Sequence, residues 1–416
     1  MAGKPILVLG GGIAGMTAAL EAAEAGCEVV LVEKAPYLGG RVAKMNLYFP
    51  KLCPPSCGLE INLKRLRANP RIQVLTQAEL IELSGSAGDF TATVKVAPRY
   101  VTAACTRCGF CAEACPAERP DEFNYGLSKT KAVYLPHAMA WPERYVVERP
   151  LCPPGCAACA QACPYGAVDL HQQEERRTFQ VAAVIAATGW APYNAARIEG
   201  LGYGESKNVV TNLVLERLAA PNGPTGGKIL RPSDGRAPRL VAFVQCAGSR
   251  DENHLPYCSG VCCAASLKQA AYVRSQYPDA RVVVFYIDIR TSGRLEDFYS
   301  RIAADTNVQF IKGKVAHIDE DPATGDLVVH AEDILRGKQL ALHADLVVLA
   351  TGIVPQTQGL PAAFPVDEYR FAGNGKAGLY PAGCAHRPEE VSASVQEATG
   401  AALKALHCVV RSAHHG

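Results

Sequence analysis

No run of this chain is apolar for long enough to cross a bilayer. Its longest apolar stretches, 181–188 ("VAAVIAAT") and 345–352 ("DLVVLATG"), are strand-length, well short of the ~20 residues that a spanning helix needs. An excess of charge is missing too. Lys and Arg number 42 against 40 Asp and Glu, the net charge is +2, and no basic stripe stands out. That removes the electrostatic case for a nucleic-acid partner. The N-terminal "MAGKPILVLGGG" enters a strand at once, with neither the apolar core nor the cleavage site of a secretory signal, so the expected location is the cytosol. With 416 residues, 49% hydrophobic and 20% charged, the chain has material for two or three domains with real cores. Cysteine is what it has in abundance, 17 in all. A reducing compartment excludes a disulfide framework, so their spacing should reveal metal sites or redox chemistry.

The segment 5–34, "PILVLGGGIAGMTAALEAAEAGCEVVLVEK", reads as strand, tight turn, helix, strand. Gly10, Gly12 and Gly15 supply G-x-G-x-x-G around Ile13 and Ala14, and Glu33 closes the second strand before Lys34. Gly10 makes the turn, Gly12 lets the backbone approach a pyrophosphate, and Gly15 lets helix and strand pack closely. The helix N-terminus offers amide donors to the anion, and Glu33 accepts from a ribose hydroxyl.

Two cysteine runs follow. "CTRCGFCAEACP" gives Cys105, Cys108, Cys111 and Cys115 before Pro116, the bacterial ferredoxin spacing. "CPPGCAACAQACP" gives Cys152, Cys156, Cys159 and Cys163 before Pro164, with one extra residue in its first gap. Where two clusters share such a module, the fourth cysteine of each run serves the other cluster. The expected sets are Cys105, Cys108, Cys111 with Cys163, and Cys152, Cys156, Cys159 with Cys115. Zinc is the competing ion for these thiolates, disfavoured by the Cys-Pro endings. The connection between the runs reads as a surface hairpin. A third group, "QCAGSRDENHLPYCSGVCC", holds Cys246, Cys258, Cys262 and Cys263, the last two at a helix start. They can close around one cluster or be ordinary buried thiols.

Several segments resemble the flavoproteins built from two dinucleotide-binding domains. "APYLGGRV" places Gly39, Gly40 and Arg41 where that family lays a Gly-Gly against FAD. The strand ends at Thr188-Gly189 and Thr351-Gly352, and Gly383-Cys384 in "GLYPAGCAHRPEE", are similar to its other flavin-side motifs, with Cys384 where Asp is usual. The resemblance implies a second domain for NAD(P)H, yet "AGSRDENH" stands where a second G-x-G-x-x-G is required. "QCAGSRDE", "YCSGVCC", "FYIDIRTSGRLEDFYSRI" and "EFNYGLSKTKAVYLP" resemble the A subunits of heterodisulfide reductases. "YFPKLCPPSCGLEIN" and "PNGPTGGKILRPSDG" resemble most the A subunits of quinone-interacting membrane-bound oxidoreductase complexes. The resemblance implies FAD and three [4Fe-4S] clusters, the third on Cys246, Cys258, Cys262 and Cys263. It implies electron transfer between membrane quinone and adenylylsulfate reductase. The partners it implies are a second flavoprotein and a haem-bearing membrane protein of the same complex. Membrane contact is then peripheral, through those partners. A heterodisulfide-type or sulfur-oxidising assembly, with flavin-based bifurcation, is the alternative.

The expected fold is α/β: a FAD-binding, disulfide-reductase-like two-dinucleotide-domain fold with an inserted two-cluster ferredoxin module. Its parts are FAD domain 1–98, insertion 99–170, FAD domain 171–218, linker 219–239, a Rossmann-like cluster-bearing domain 240–342, and FAD domain 343–416. No side chain is expected to make a bond to substrate. Cys53 and Cys57 in "LCPPSCGLE" fit a proline-shaped turn better than a redox dithiol. Were they a dithiol, the chain would be a self-sufficient NAD(P)H-dependent disulfide reductase; were the clusters silent staples, it would be a docking hub. His137, His254, His317 and His343 are scattered, with structural or surface roles expected, and Lys44 is a solvated or flavin-facing cation.

Overall fold

A computed structural model describes residues 3–414, which form two compact units, one of residues 3–190 with 355–414 and the other of residues 191–354. In the first, the strands Ile6–Leu9, Val29–Glu33 and Ile72–Thr76 run parallel on one side, and Ala183–Ala186 and Leu379–Pro381 on the other. The strand Ile6–Leu9 is central and buried on both faces, hence its unbroken apolar run. One face carries the helices Ile13–Glu24, Pro55–Ala68 and Val391–His414. Ala18, Ala19 and Ala22 of the first share a core with Ala398, Ala401, Ala402 and Ala405 of the last, all small enough for backbones to approach closely. The other face is covered by an antiparallel sheet of Ala78–Ser86, Asp89–Val96 and Glu175–Val181, whose Phe90, Ala92 and Val94 meet Leu7, Leu9, Val30 and Val32.

The cysteine-rich insertion leaves this antiparallel sheet and returns to it. Its ends are tied by the Val101–Val168 bridge and by Thr102 N donating to Ala167 O at 2.8 Å. Arg99 anchors its entry, buried and donating to the carbonyls of Pro36, Arg144 and Tyr145. Burial lowers its pKa to about 10. The connection between the cysteine runs opens with the hairpin expected, Glu118–Pro120 antiparallel to Lys129–Lys131, but its loop turns inward. Phe123, between the two strands, stacks on His137 at 4.8 Å, and Tyr37 meets His137 edge-on at 4.9 Å. Lys44 donates to Glu122 O and lies over the Tyr125 ring. Aromatic burial outweighs the polar composition that suggested a solvated loop.

The second unit repeats the plan. Its parallel sheet has the order Val209–Thr211, Leu346–Thr351, Leu240–Ala247, Arg281–Tyr286, Val308–Lys312. The helices are Asn212–Ala219, Cys262–Gln276 and Leu295–Ala303. An antiparallel sheet of Val315–Glu320, Leu327–Asp333 and Lys338–Ala344 contributes Ile318, Leu327 and Val329 to the core with Val283, Phe285 and Val347. Two boundaries differ from the sequence reading. Residues 191–218 and 343–354 belong to this unit, because Val209–Thr211 and Leu346–Thr351 pair within its sheet. Residues 219–239 are not a linker between domains but a strap within this unit. Arg231 is buried there against Asp326 (2.8 Å) and Asp345 (3.1 Å), and Ile229 N donates to Gln276 Oε1. Among the described residues no helix is long and apolar enough to cross a membrane.

Candidate functional sites

The glycine turn after the central strand of the first unit has the geometry its sequence demands. Gly10 has φ 101°, and a Cβ there would lie 2.2 Å from Ala187 O; a Cβ on Gly15 would lie 1.7 Å from Gly10 O. Gly12, at the N-terminus of the helix Ile13–Glu24, has nothing within 4 Å of its Cβ position. That open face beside the amide-bearing helix start, where Ile13 and Ala14 form the first turn, is a cradle for an anion. Glu33 closes it, its carboxylate accepting from Gly11 N (2.5 Å) and Ala35 N (2.6 Å) while burial raises its pKa.

The Gly39-Gly40 turn rests on the same place. Gly39 N donates to Gly11 O, and a Cβ on Gly40 would meet Gly12 Cα at 2.9 Å. Gly383 packs against Ala14. Thr188 has a buried Oγ1 with no partner, and Gly189 has nothing within 4 Å of its Cβ position. A cradle that methyl groups would fill and an orphaned hydroxyl together fit a bound dinucleotide.

Other residues singled out by sequence sit differently. Arg41 donates to Trp190 O and lies 4.9 Å over its ring. Lys34 is exposed and pairs with Glu79. Cys384 is buried, its thiol donating to Glu389 O and pushed up by burial. Thr351 and Gly352 lie in the second unit. They end the strand equivalent to the one that Thr188-Gly189 ends in the first, which is why the two segments read alike.

In the insertion, a cavity is lined by Cys105, Cys108, Cys111 and Cys163, together with Val101, Tyr145 and Ala167. Burial pushes the Cys111 thiol up to about 11, helped by the charges of Cys105, Cys163 and Cys108. Burial likewise raises Cys159, next to Cys152 and Cys115. Each run thus sends its last cysteine to the other's set. The extra residue of the second run is absorbed in a turn at Gly155 (φ 71°), with Cys156 N donating to Pro153 O.

Zinc held by thiolates at about 2.3 Å would need sulfurs about 3.8 Å apart. Among the described residues no three cysteine sulfurs lie within 4.8 Å of one another.

The second unit gathers Cys246, Cys258, Cys262 and Cys263 at the corresponding turn. Cys246 lies within a bulge at the end of its strand and takes φ 57°, a left-handed conformation costly for a non-glycine residue. Cys262 and Cys263 open the helix Cys262–Gln276, with Cys262 Sγ 3.7 Å from Thr351 O and Cys263 Sγ 3.7 Å from Asp288 O. Gly260 N donates to Cys258 Sγ at 3.4 Å. Burial, then the neighbouring thiols, pushes Cys262 upward, and burial with Cys263 alongside takes Cys246 to about 11. Four sulfurs gathered at one turn, two of them buried, with a left-handed residue among them, make a soft donor set of the kind that suits iron–sulfur.

Behind the turn, Thr351 Oγ1 donates to Asn212 Oδ1. Gln269 Nε2 donates to Asn212 O and to Glu216 Oε1, which also pairs with buried Lys268 at 3.0 Å. The sequence reading missed this support, and residues over fifty positions apart on two helices leave no local signature. Cys53 and Cys57 flank the start of the helix Pro55–Ala68, with Cys53 O accepting from Tyr48 N. Cys57 is exposed.

A family model for FAD-dependent oxidoreductases matches residues 5–51. One of the iron–sulfur A subunits of CoB–CoM heterodisulfide reductase from Methanopyrus kandleri is 39% identical over 416 residues, covering 96% of this chain and 63% of that protein. The corresponding A subunit of the H2:CoB–CoM heterodisulfide,ferredoxin reductase from Methanothermobacter marburgensis is 38% identical over 428 residues, covering 97% and 64%. This chain is a homologue of the heterodisulfide reductase A subunits. It spans somewhat under two thirds of the length of those two relatives. The Lactococcus lactis thioredoxin reductase structure superposes with a TM-score of 0.55 at 13% identity, covering 98% of this chain and 99% of that one, which shows the shared fold. The chain thus combines a disulfide-reductase-like fold with an inserted cysteine-rich module, and its first 51 residues contain the segment that matches the FAD-dependent oxidoreductase model.

Proposed function

We propose that this chain is the electron-transfer component of a multisubunit reductase of the heterodisulfide type, holding one FAD and three [4Fe-4S] clusters. The observation that carries this reading is the turn at Cys246, Cys258, Cys262 and Cys263, which stands where a second glycine fingerprint would seat a nicotinamide cofactor. When bound, FAD supplies two-electron chemistry and the clusters one-electron steps. The protein's part is placement and tuning. Gly10, Gly12 and Gly15 clear the backbone for the diphosphate, and Glu33 takes the ribose hydroxyls. Cys105, Cys108, Cys111 with Cys163, Cys152, Cys156, Cys159 with Cys115, and the Cys246 set hold the three clusters in surroundings of limited solvent access.

The heterodisulfide reductase relatives support that reading directly. A narrower one places the chain in a quinone-interacting complex, passing electrons between membrane quinone and adenylylsulfate reductase. It rests on the likeness of the segments around Cys53 and Gly223. In it the chain lies at the inner face of the cytoplasmic membrane through a haem-bearing partner and beside a second flavoprotein. Anaerobic purification with iron, sulfide and flavin quantified tests the common core. About twelve irons and one FAD per chain are expected, with no flavin reduction by NAD(P)H; about eight irons would remove the third cluster. Assay of the complex with a heterodisulfide and with a quinol then separates the two readings.

A further inference from the structure

The strands Val315–Glu320 and Leu327–Asp333 carry a donor set remote in sequence from the cysteines. His317 and His330 are cross-strand partners with rings stacked at 4.1 Å. Both Nε2 atoms turn to one oxygen of Asp319, at 3.3 Å from His317 and 3.1 Å from His330. All three ligand atoms lie within 4.8 Å of one another.

A bulge makes this arrangement. The register slips between Val315 and His317. In a regular strand His317 would share the buried face of Val315; the extra residue, Ala316, turns it outward to join Asp319. Bulges re-aim side chains in this way beside functional sites. The strand is held in place, since Ile318 N donates to Gly200 O at 2.8 Å.

We propose that His317, Asp319 and His330 bind a divalent transition ion of the zinc class. With metal–ligand bonds of 2.0–2.1 Å, adjacent donors of a tetrahedral ion lie about 3.3 Å apart, which is the spacing from Asp319 to each imidazole. Two imidazoles and one carboxylate select zinc, cobalt, nickel or copper over magnesium and calcium, which prefer all-oxygen shells. Without the ion, both Nε2 atoms lie beside one carboxylate oxygen. Binding selects the Nδ1–H tautomer of each ring, which leaves the Nε2 lone pairs free. The rings turn about their soft outer torsion so that these lone pairs converge. All three side chains are at least partly exposed, which leaves the fourth position to water. The site is independent of the flavin and the clusters.

The test uses anaerobically purified holoprotein in a Cys53→Ser/Cys57→Ser background, freed of loose divalent ions by a chelator and dialysed against micromolar zinc. One equivalent of zinc beyond the cluster iron is expected. His317→Gln, Asp319→Asn and His330→Gln should each weaken its retention by at least about tenfold, while Asp321→Asn leaves it unchanged. Flavin and iron contents, equal across the set, establish that the variants fold. Zinc retained undiminished in His330→Gln, or none bound by the parent protein, overturns the proposal.

Discussion

Replacing Gly12 by alanine should separate cofactor binding from folding. Gly12 has φ −74° and ψ −172°, open to any residue, and an added methyl would touch nothing within 4 Å. Alanine restricts the unfolded chain, a gain of about 0.4–1 kcal/mol, and is a poorer helix cap than glycine by a similar amount. The flavin-free protein should therefore keep its stability to within about 1 kcal/mol. The same methyl projects into the cradle and keeps a diphosphate off the helix start. Losing two hydrogen bonds to a charged oxygen, at about 1.5–3 kcal/mol each, predicts an FAD dissociation constant raised at least about a hundredfold. Gly15→Ala is the contrasting case. Its Cβ would sit 1.7 Å from Gly10 O, so the turn must open by more than an ångström, and stability and flavin should fall together. Flavin content after anaerobic purification, FAD titration by fluorescence quenching, and urea unfolding of the flavin-free forms measure the three quantities. Gly12→Ala protein that keeps FAD with unchanged affinity would refute the placement of the diphosphate at this turn.

Crossed ligation of the insertion makes Cys163→Ala with Cys105→Ala a lesion of one cluster, losing about four irons, whereas Cys163→Ala with Cys152→Ala costs about eight; iron analysis and EPR count them. Lys268→Met strands Glu216 in the core and should cost about 3–5 kcal/mol, most of it recovered by adding Glu216→Gln, as urea unfolding would register. In cluster-free protein the Cys246 thiol is raised to about 11 by burial, against about 8.5 in an unfolded chain. A raised folded-state pKa gives stability that is complete below the lower value and lost toward the higher. Thermal unfolding of that form should therefore weaken between about pH 8.5 and 11, and Cys246→Ser should flatten the slope.

How far the sequence reaches differs from part to part. The strand–glycine–helix–Glu33 signature and both cysteine runs are local, and local spacing carries their geometry. The swap of Cys115 and Cys163 follows from it as well. Thr351-Gly352 ends a strand of the second unit just before the chain returns to the first, and only sheet pairing shows to which unit such a strand end belongs. The strap around Arg231 looked like a linker because its proline and glycine content hides one buried guanidinium answered by two distant aspartates. His317 looked scattered because a one-residue bulge, invisible in composition, brings it onto one face with His330, which the sequence reading did not single out.

The two units share four strand slots in the same order, with Ile6–Leu9 and Leu240–Ala247 in the same central one and a helix rising from each; only the edge strand comes from the opposite end of its unit's sequence. What differs is the short stretch bridging strand to helix: bare glycine in one, a sulfur-bearing excursion from 248 to 261 in the other. In both, the turn lies at the positive end of a helix. On the function proposed above, a change of cargo from organic diphosphate to inorganic cluster needs only that loop rewritten, on strands whose central slots stay the same.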